Sequence, residues 1–389
     1  MTRVGIHDIS LATGQHVLDL DELAAFNGTD PAKYHVGLGL DQMSVLAPDE
    51  DVVTLAASAA LPLIREHGTD GIRTLLVATE SGVDESKSVG VWVHRLLGLP
   101  AGCRTVELKQ ACYSATAGLQ AALGIVARNP GERVLLIATD VARYDLDSSA
   151  EPTQGAGAVA MLVSAEPGLL TIEPVTGVRT ADVDDFWRPV DRSTALVDGR
   201  LSVSAYVDAL TGAWDDFAER GGVPVEQIDR WCYHQPFTRM SVKAHQRLGR
   251  HVDAPLAAED LDDASRYNRR LGNCYTASLY AGLASLLDHD DDLAGRRVAL
   301  FSYGSGSVGE LFTGVVEPDY RSAERALRHA KTLDERKPVD VGRYRELHRA
   351  AVHTSDVDID IPVASGTPFR FAGVRGGARQ YVAAEHLAE

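Results

Sequence analysis

The sequence predicts an α/β fold with mostly buried sheets. Three observations carry this. Apolar runs of strand length recur along the chain, and Ala- and Leu-rich stretches with helical spacing separate them. Glycines are abundant and scattered, 35 in 389 residues, as many tight strand-to-helix turns require.

Taken in order, Met1-Thr2-Arg3-Val4-Gly5-Ile6 begins a strand, and Arg73–Thr79 is a buried strand. Val91–Leu97 belongs to a helix carrying His94 and Arg95, and Cys103–Ala111 is a further strand. Thr116–Arg128 has apolar residues at helical spacing and is closed by Asn129-Pro130. Arg133–Thr139 and Ala158–Ser164 follow as buried strands. The second half repeats the theme more loosely: helix over Ser204–Arg220, strand over Ile228–His234, helix over Thr276–Leu287, strand over Arg297–Tyr303. Arg133-Val134-Leu135-Leu136-Ile137-Ala138 is patterned like Arg297-Val298-Ala299-Leu300-Phe301-Ser302, which hints at an internal duplication. Tyr320–Ala351 is polar, charged and helix-prone, and is expected to pack on the surface late in the fold. Gly373–Ala378 is expected to be a turn before a last short strand. No low-complexity linker separates the halves, so they are expected to pack tightly.

At roughly 100–200 residues per domain, the length suits two cores better than one. Hydrophobic residues make up 45% and charged residues 24%, ordinary globular values that exclude a disordered class. A net charge of −17 argues against nucleic acid as the main ligand, because phosphate contacts need a basic surface. Small anions need only a local basic patch and stay open. The start of the chain lacks the apolar core of a signal peptide, and no apolar run approaches the ~20 residues that span a bilayer. The four cysteines (Cys103, Cys112, Cys232, Cys274) form no CxxC pair and no small secreted framework. A soluble, reduced, cytoplasmic protein is expected.

Three residues concentrate the chemistry. Cys112 falls where a strand hands over to a helix rich in Ala, Gly and Ser, near the positive end of a helix dipole, which favours a thiolate. A thiolate attacks thioesters and yields an acyl-enzyme that is itself a reactive thioester. The same position also suits a buried structural cysteine. Glu80 ends the apolar run Leu75-Leu76-Val77-Ala78-Thr79, where partial desolvation raises a carboxyl group into the range of a usable base; a solvated strand end or a helix-capping acid is the other reading. His234, between Trp231-Cys232-Tyr233 and Gln235-Pro236-Phe237, is open to the reading of a satisfied core histidine. With Asn273 in Leu271-Gly272-Asn273 it forms a pair able to hold a carbonyl oxygen.

Gly304-Ser305-Gly306-Ser307-Val308-Gly309 matches G-x-G-x-x-G but leads into a short, β-prone stretch ended by Pro318, so the nicotinamide reading fails. A Gly-Ser turn whose backbone N–H faces a thioester oxygen is the functional reading, and a plain tight turn the structural one. No HExxH, carboxylate loop or Cys/His set implies a metal. Arg239, Lys243 and Arg247, spaced by four, could grip the phosphates of a nucleotide carrier or form a solvated helix face.

Longer windows add to these residues. They are Lys33-Tyr34-His35-Val36-Gly37-Leu38-Gly39, Ala78-Thr79-Glu80-Ser81, Glu107-Leu108-Lys109-Gln110-Ala111-Cys112-Tyr113, Glu151-Pro152-Thr153-Gln154-Gly155-Ala156-Gly157-Ala158, Asp185-Phe186-Trp187-Arg188-Pro189, Val197-Asp198-Gly199, Tyr233-His234-Gln235-Pro236-Phe237-Thr238, Gly272-Asn273-Cys274-Tyr275-Thr276 and Ser302-Tyr303-Gly304-Ser305-Gly306. Together and in this order they resemble the 3-hydroxy-3-methylglutaryl-CoA (HMG-CoA) synthase family of the thiolase superfamily, bacterial type, across nearly the whole chain.

The resemblance implies a thiolase-like five-layer α-β-α-β-α fold from two duplicated halves, residues 1–165 carrying Glu80 and Cys112 and residues 166–389 carrying His234 and Asn273. It also implies a homodimer in the mevalonate pathway, with CoA thioesters as substrates and no cofactor. Cys112 would take acetyl from acetyl-CoA, and Glu80 would remove a methyl proton so that the resulting enolate attacks acetoacetyl-CoA. His234 and Asn273 would bind the acetoacetyl oxygens, while the backbone at Cys112 and Ser305 polarises the acetyl thioester. Asp30, Tyr144, Thr153, Ser202, Arg239 and Lys243 match substrate or CoA positions of the family. Departures are small: arginine stands at position 239 where the family usually has lysine, Cys274 occupies a variable position, and Val252–Asp262 is shorter than in many relatives.

The rival reading is the β-branching relative that uses the same residues on substrates attached to an acyl carrier protein in polyketide assembly. The −17 charge disfavours an acidic carrier. A thiolase would need a second, late catalytic cysteine, and none follows Cys274. A ketoacyl synthase would lack a base equivalent to Glu80.

Overall fold

A computed structural model describes residues 3–350 and 357–384. Its centre is a nine-stranded mixed sheet. The strands are β1 (Gly5–Thr13), β2 (Ile72–Ala78), β3 (Arg104–Leu108), β4 (Arg133–Val141), β5 (Ala156–Ser164), β6 (Leu170–Thr180), β7 (Arg230–Tyr233), β8 (Arg297–Gly304) and β9 (Val308–Val316). Their spatial order is β7-β8-β9-β6-β1-β5-β4-β2-β3.

The two sides of the sheet repeat one pairing scheme. On one side β2 is parallel to β4, β4 antiparallel to β5, and β5 antiparallel to β1. On the other β7 is parallel to β8, β8 antiparallel to β9, and β9 antiparallel to β6. The β4 and β8 segments whose sequences looked alike therefore hold matching places. The sides meet where Gly5 and Ile6 pair with Thr171 and Leu170. A Cβ at Gly5 would lie 2.0 Å from the Leu170 carbonyl oxygen, so only glycine permits this junction.

Strand interiors explain themselves. β4 and β5 are buried along nearly their whole lengths and read as continuous apolar runs, as strands covered on both faces do. Helix α1 (Val52–His67) starts at Asp51, whose carboxylate accepts from Val53 and Thr54 N–H while the Thr54 hydroxyl closes a capping box. With α2 (Val89–Leu96) it covers one face of the β1–β5 side. α3 (Ser114–Arg128) packs on the opposite face, in one core with α7 (Ser278–His289) and strands of both sides. α4 (Gly199–Glu219) and α5 (Thr238–His251) build a third core with Trp231, Phe301 and Leu311. Between α5 and α7 lies α6 (Asp262–Leu271). Among the described residues no helix is long and apolar enough to cross a membrane.

Several expectations need correction. The Cys103–Ala111 strand ends at Leu108, because Gln110 N–H turns back to the Ser114 hydroxyl at 2.6 Å. α4 begins at Gly199, not Ser204, because Asp198 caps Arg200 and Leu201 N–H. Among the elements not foreseen, two show why. α1 carries Pro62, and β6 carries Pro174 and Gly177, residues that hide regular structure from a pattern reading. The Tyr320 segment is two helices, α8 (Ala323–Asp334) and α9 (Val341–Ala350), and is no mere surface cover. Buried Arg325 and His329 bond Asp288 at 2.8 and 2.7 Å, and Tyr344 is buried against Gln154. Ala351, like Met1 and Thr2, lies outside the described residues. Near the C-terminus the turn is only Gly376-Gly377, since Phe369–Arg375 and Ala378–Ala383 are paired strands.

Candidate active site

Glu80 follows the end of β2, and His234 follows the end of β7, matching places in the repeated scheme. Thr79 N–H continues the ladder to the Leu108 carbonyl, and His234 N–H does the same to the Phe301 carbonyl at 2.8 Å. Cys112 sits in the turn between β3 and α3. Ala111 takes a left-handed φ of 44°, strained for alanine, to present it. The turn is pinned by Ser114, whose hydroxyl donates to the Ala111 carbonyl, and by Ala115 N–H on the Thr276 hydroxyl at 2.8 Å.

The structure brings Cys112 and Glu80 together. The thiol donates to the Glu80 carboxylate, Sγ to Oε1 3.3 Å. Around them Cys112, Ala142, Tyr144, Ala195 and Tyr275 form one apolar cluster against Phe186. Withdrawal from water, then the neighbouring Asp140 carboxylate, push the Glu80 acid well above the usual carboxylate range. Asp140 is fully buried and accepts from the Thr79 hydroxyl, Glu80 N–H and Ser81 N–H at 2.8–3.0 Å, and from Thr276 N–H at 3.2 Å. Burial raises Asp140 as well, but its four donors favour the charged form, so Glu80 is the member of this pair with the higher proton affinity. Burial and the same two carboxylates push the Cys112 thiol well up.

This corrects the expectation of a thiolate favoured by the α3 dipole. A half-charge at a helix end does not outweigh desolvation and two nearby anions. Cys112 rests as a thiol, and its proton has an acceptor in place.

The remaining sequence-singled residues divide. Asn273 is buried; its Nδ2 donates to the Tyr144 hydroxyl at 3.3 Å, its Oδ1 accepts from Tyr275 N–H, and its own N–H bonds the Thr153 carbonyl. Tyr144, Asn273 and Thr153 thus join the Cys112 cluster. Ser305 lies in the β8–β9 turn, its carbonyl accepting from Gln110 Nε2 at 3.2 Å. A Cβ at Gly304 would meet the Gln110 carbonyl at 2.5 Å, so glycine lets this turn press on the one holding Cys112. His234 is buried, and burial pushes its imidazole down to about 3, so it is neutral. Its carbonyl accepts from the Tyr206 hydroxyl, whose ring stacks on the imidazole, and its Nδ1 has no partner among the described residues.

Arg239, Lys243 and Arg247 are exposed on α5, and Ser202 is half-exposed in the first turn of α4. Asp30 is exposed and caps Ala32 N–H; its segment reaches α5 through the Thr238 hydroxyl on the Gly39 carbonyl. Among the described residues none of these five side chains hydrogen-bonds to the Cys112 cluster; they form an outer group.

Three partners were missed. Asp140 hides inside a strand run. Arg188 donates to the Glu80 carbonyl, and Asp185 accepts from the Tyr303 hydroxyl and Gly306 N–H at 2.9 Å. For Asp140 the available signal was an aspartate near the end of an apolar strand, whereas Asp185 and Arg188 lay in the window Asp185-Phe186-Trp187-Arg188-Pro189 without a role of their own.

The residues match known proteins along their length. The family model described as hydroxymethylglutaryl-coenzyme A synthase N terminal matches residues 1–167, and its C terminal counterpart matches residues 251–355. The chain is 38% identical to the hydroxymethylglutaryl-CoA synthase of Enterococcus faecalis, over 97% of this chain and 99% of that one. It is 32% identical to the polyketide biosynthesis 3-hydroxy-3-methylglutaryl-ACP synthase PksG of Bacillus subtilis, over 94% of each. Among solved structures it is similar to MvaS in complex with 3-hydroxy-3-methylglutaryl coenzyme A, at TM-score 0.89 and 39% identity, covering 98% and 99% of the two chains. It is also similar to the curacin biosynthetic pathway HMG synthase in complex with holo donor-ACP, at TM-score 0.92 and 32% identity, covering 98% and 100%.

Proposed function

The chain belongs to the hydroxymethylglutaryl-CoA synthase family, and from that premise we propose how its residues perform the reaction. It condenses acetyl-CoA with acetoacetyl-CoA and water to give HMG-CoA and free CoA. The observation that carries the residue assignment is the 3.3 Å contact of the Cys112 thiol with a Glu80 carboxyl group held at raised proton affinity.

Cys112 gives its proton to Glu80 as its sulfur attacks the acetyl thioester, and CoA leaves as a thiol. The acetyl group is then a thioester on Cys112, with its carbonyl oxygen polarised by backbone N–H at Cys112 and Ser305. Glu80, deprotonated again, takes a proton from the acetyl methyl. The enolate carbon bonds to the ketone carbon of acetoacetyl-CoA, and the new alkoxide takes the proton back from Glu80. Neutral His234 and Asn273 hold the acetoacetyl oxygens; an uncharged imidazole donates one hydrogen bond without competing for the proton. Water then cleaves the bond to Cys112. A raised carboxyl pKa suits a group that must both accept and return a proton near neutrality. No cofactor beyond the thioesters enters. Asp30, Thr153, Ser202, Arg239 and Lys243 bind the CoA moieties, the exposed basic row of α5 taking the phosphates and Tyr144 bounding the acyl pocket.

The repeated pairing scheme and the central α3–α7 core support a thiolase-like five-layer arrangement of two halves, 1–165 and 166–389. The edge strand β3, with Val106 48% exposed, supports pairing of two copies as a cytoplasmic homodimer. Primary metabolism is the favoured setting, because the identity to the Enterococcus enzyme exceeds that to PksG. The match to PksG and to the curacin synthase over nearly whole chains supports a second reading, an acceptor carried on an acyl carrier protein. Mass spectrometry after mixing with acetyl-CoA tests the core of the assignment. Wild type should gain one acetyl group on Cys112 and Cys112→Ala none; an acetylated Cys112→Ala protein would refute it. Turnover of free against carrier-bound acetoacetyl separates the two settings.

A further inference from the structure

Behind the Glu80 turn lies a cavity of about 690 Å³. Ser81, Val141 and Ala142 form the wall it shares with the active site, while Cys112, Glu80 and Tyr144 do not line it. None of the residues assigned above to the thioesters lines it either.

Four guanidinium groups do. Arg379 is paired with Asp51 at 2.8 Å and Arg192 with Asp145 at 3.1 Å. Arg143 and Arg188 have no carboxylate partner among the described residues. Arg143 is half-buried on the floor; one terminal N–H₂ donates to the His348 carbonyl at 2.6 Å, and its Nε–H is buried with no acceptor. Arg188 stands at the rim, close enough for its charge to oppose that of Arg143, and donates to the Glu80 carbonyl. A guanidinium cannot shed its proton to escape this, and an unmet buried donor costs about 1–3 kcal/mol. His348, pushed down to about 4 chiefly by burial, adds no charge, and Glu50 on the opposite wall has its carboxylate occupied by Gln15 and Ala47 N–H. Arg188 also feels the Glu80 carboxyl and Asp191 lines the cavity, yet neither guanidinium is paired with a carboxylate among the described residues, and the idle N–H of Arg143 is what an oxyanion completes.

We propose that this cavity is a second ligand site, distinct from the Cys112 centre, that takes a compact dianion (a phosphate or a short dicarboxylate) between Arg143 and Arg188. Its occupant competes with the Glu80 carbonyl for Arg188 and so bears on the catalytic turn. This coupling rests on the function proposed above, whereas the binding does not.

Calorimetry of the full chain at constant ionic strength, with inorganic phosphate and with succinate, tests the binding. One site per chain is expected for at least one of them, and which one distinguishes the two sources. Arg143→Gln should weaken it tenfold or more, and Arg239→Gln should leave it within twofold. Val190 is 94% exposed at the cavity mouth, so Val190→Glu should fold normally and weaken binding severalfold, with Val190→Lys strengthening it. No binding to wild type, loss that follows Arg239, or indifference to charge at position 190 would each overturn the proposal. If the anion binds but leaves the condensation rate unchanged, the site stands and its coupling to Glu80 falls.

Discussion

Replacing Glu80 by glutamine keeps the side-chain shape and removes the base. At 3.3 Å, a thiolate and a carboxylate repel by about 5 kcal/mol at an effective dielectric constant of about 20. In the wild type, therefore, the thiolate forms only as its proton passes to Glu80. In Glu80→Gln that acceptor is gone, but so is the repulsion, and the two effects oppose each other in the loading step. Acetyl transfer to Cys112 should slow modestly and still go to completion. The condensation has no such compensation, because the methyl proton has nowhere to go. A general base is worth ~10²–10⁴-fold, or about 2.7–5.4 kcal/mol, and the condensation rate should fall by that amount. Rapid quenching with intact-mass detection follows both steps: acetyl-Cys112 should accumulate, and acetoacetyl-CoA should discharge it slowly. Equal loss in the two steps, or condensation within threefold of wild type, would refute the reasoning.

Asp140→Asn removes the anion that helps raise Glu80. Glu80 should then lose its proton at lower pH, and the acid limb of the rate profile should move down. Unfolding in urea should show a loss of about 1–3 kcal/mol from the weakened hydrogen bonds. His234→Ala should raise KM for acetoacetyl-CoA far more than it slows acetyl loading, and unchanged kinetics for that substrate would remove His234 from the site. Because the imidazole is neutral above about pH 4, no step of the wild-type profile between pH 5 and 8 should vanish in that variant. Glu50 is pushed up to about 8, chiefly by burial. Its folded value exceeds the unfolded one of ~4.3, so the protein is penalised progressively as pH rises between those values and not below them. The stability of Glu50→Gln relative to wild type, read by melting temperature, should therefore grow from pH 4 to pH 8 and then level off.

Much of this molecule was set by local pattern. Strand and helix alternation, the nine residues from Val308 that refuse a helix, and a cysteine poised before α3 are all properties of neighbouring residues along the chain. So is the carboxylate at the end of β2, since apolar runs must be buried whatever packs on them. The interruptions Pro62, Pro174 and Gly177 misled that reading, because each is tolerated only by what surrounds it in space. The Cβ of any larger residue at 177 would lie 2.0 Å from the Ala213 carbonyl.

Tertiary structure alone decided the chemical state of the site. Asp140 reaches Glu80 from 60 residues away and Arg188 from 108, and no spacing rule links them. Proton affinity depends on how much water is withdrawn and on which charges lie within a few ångströms, and both are fixed only when distant strands close around the turn. The residue types could announce a thiol, an acid and an imidazole. Packing determined that the thiol proton of the first lies within reach of the second and that the third carries no charge.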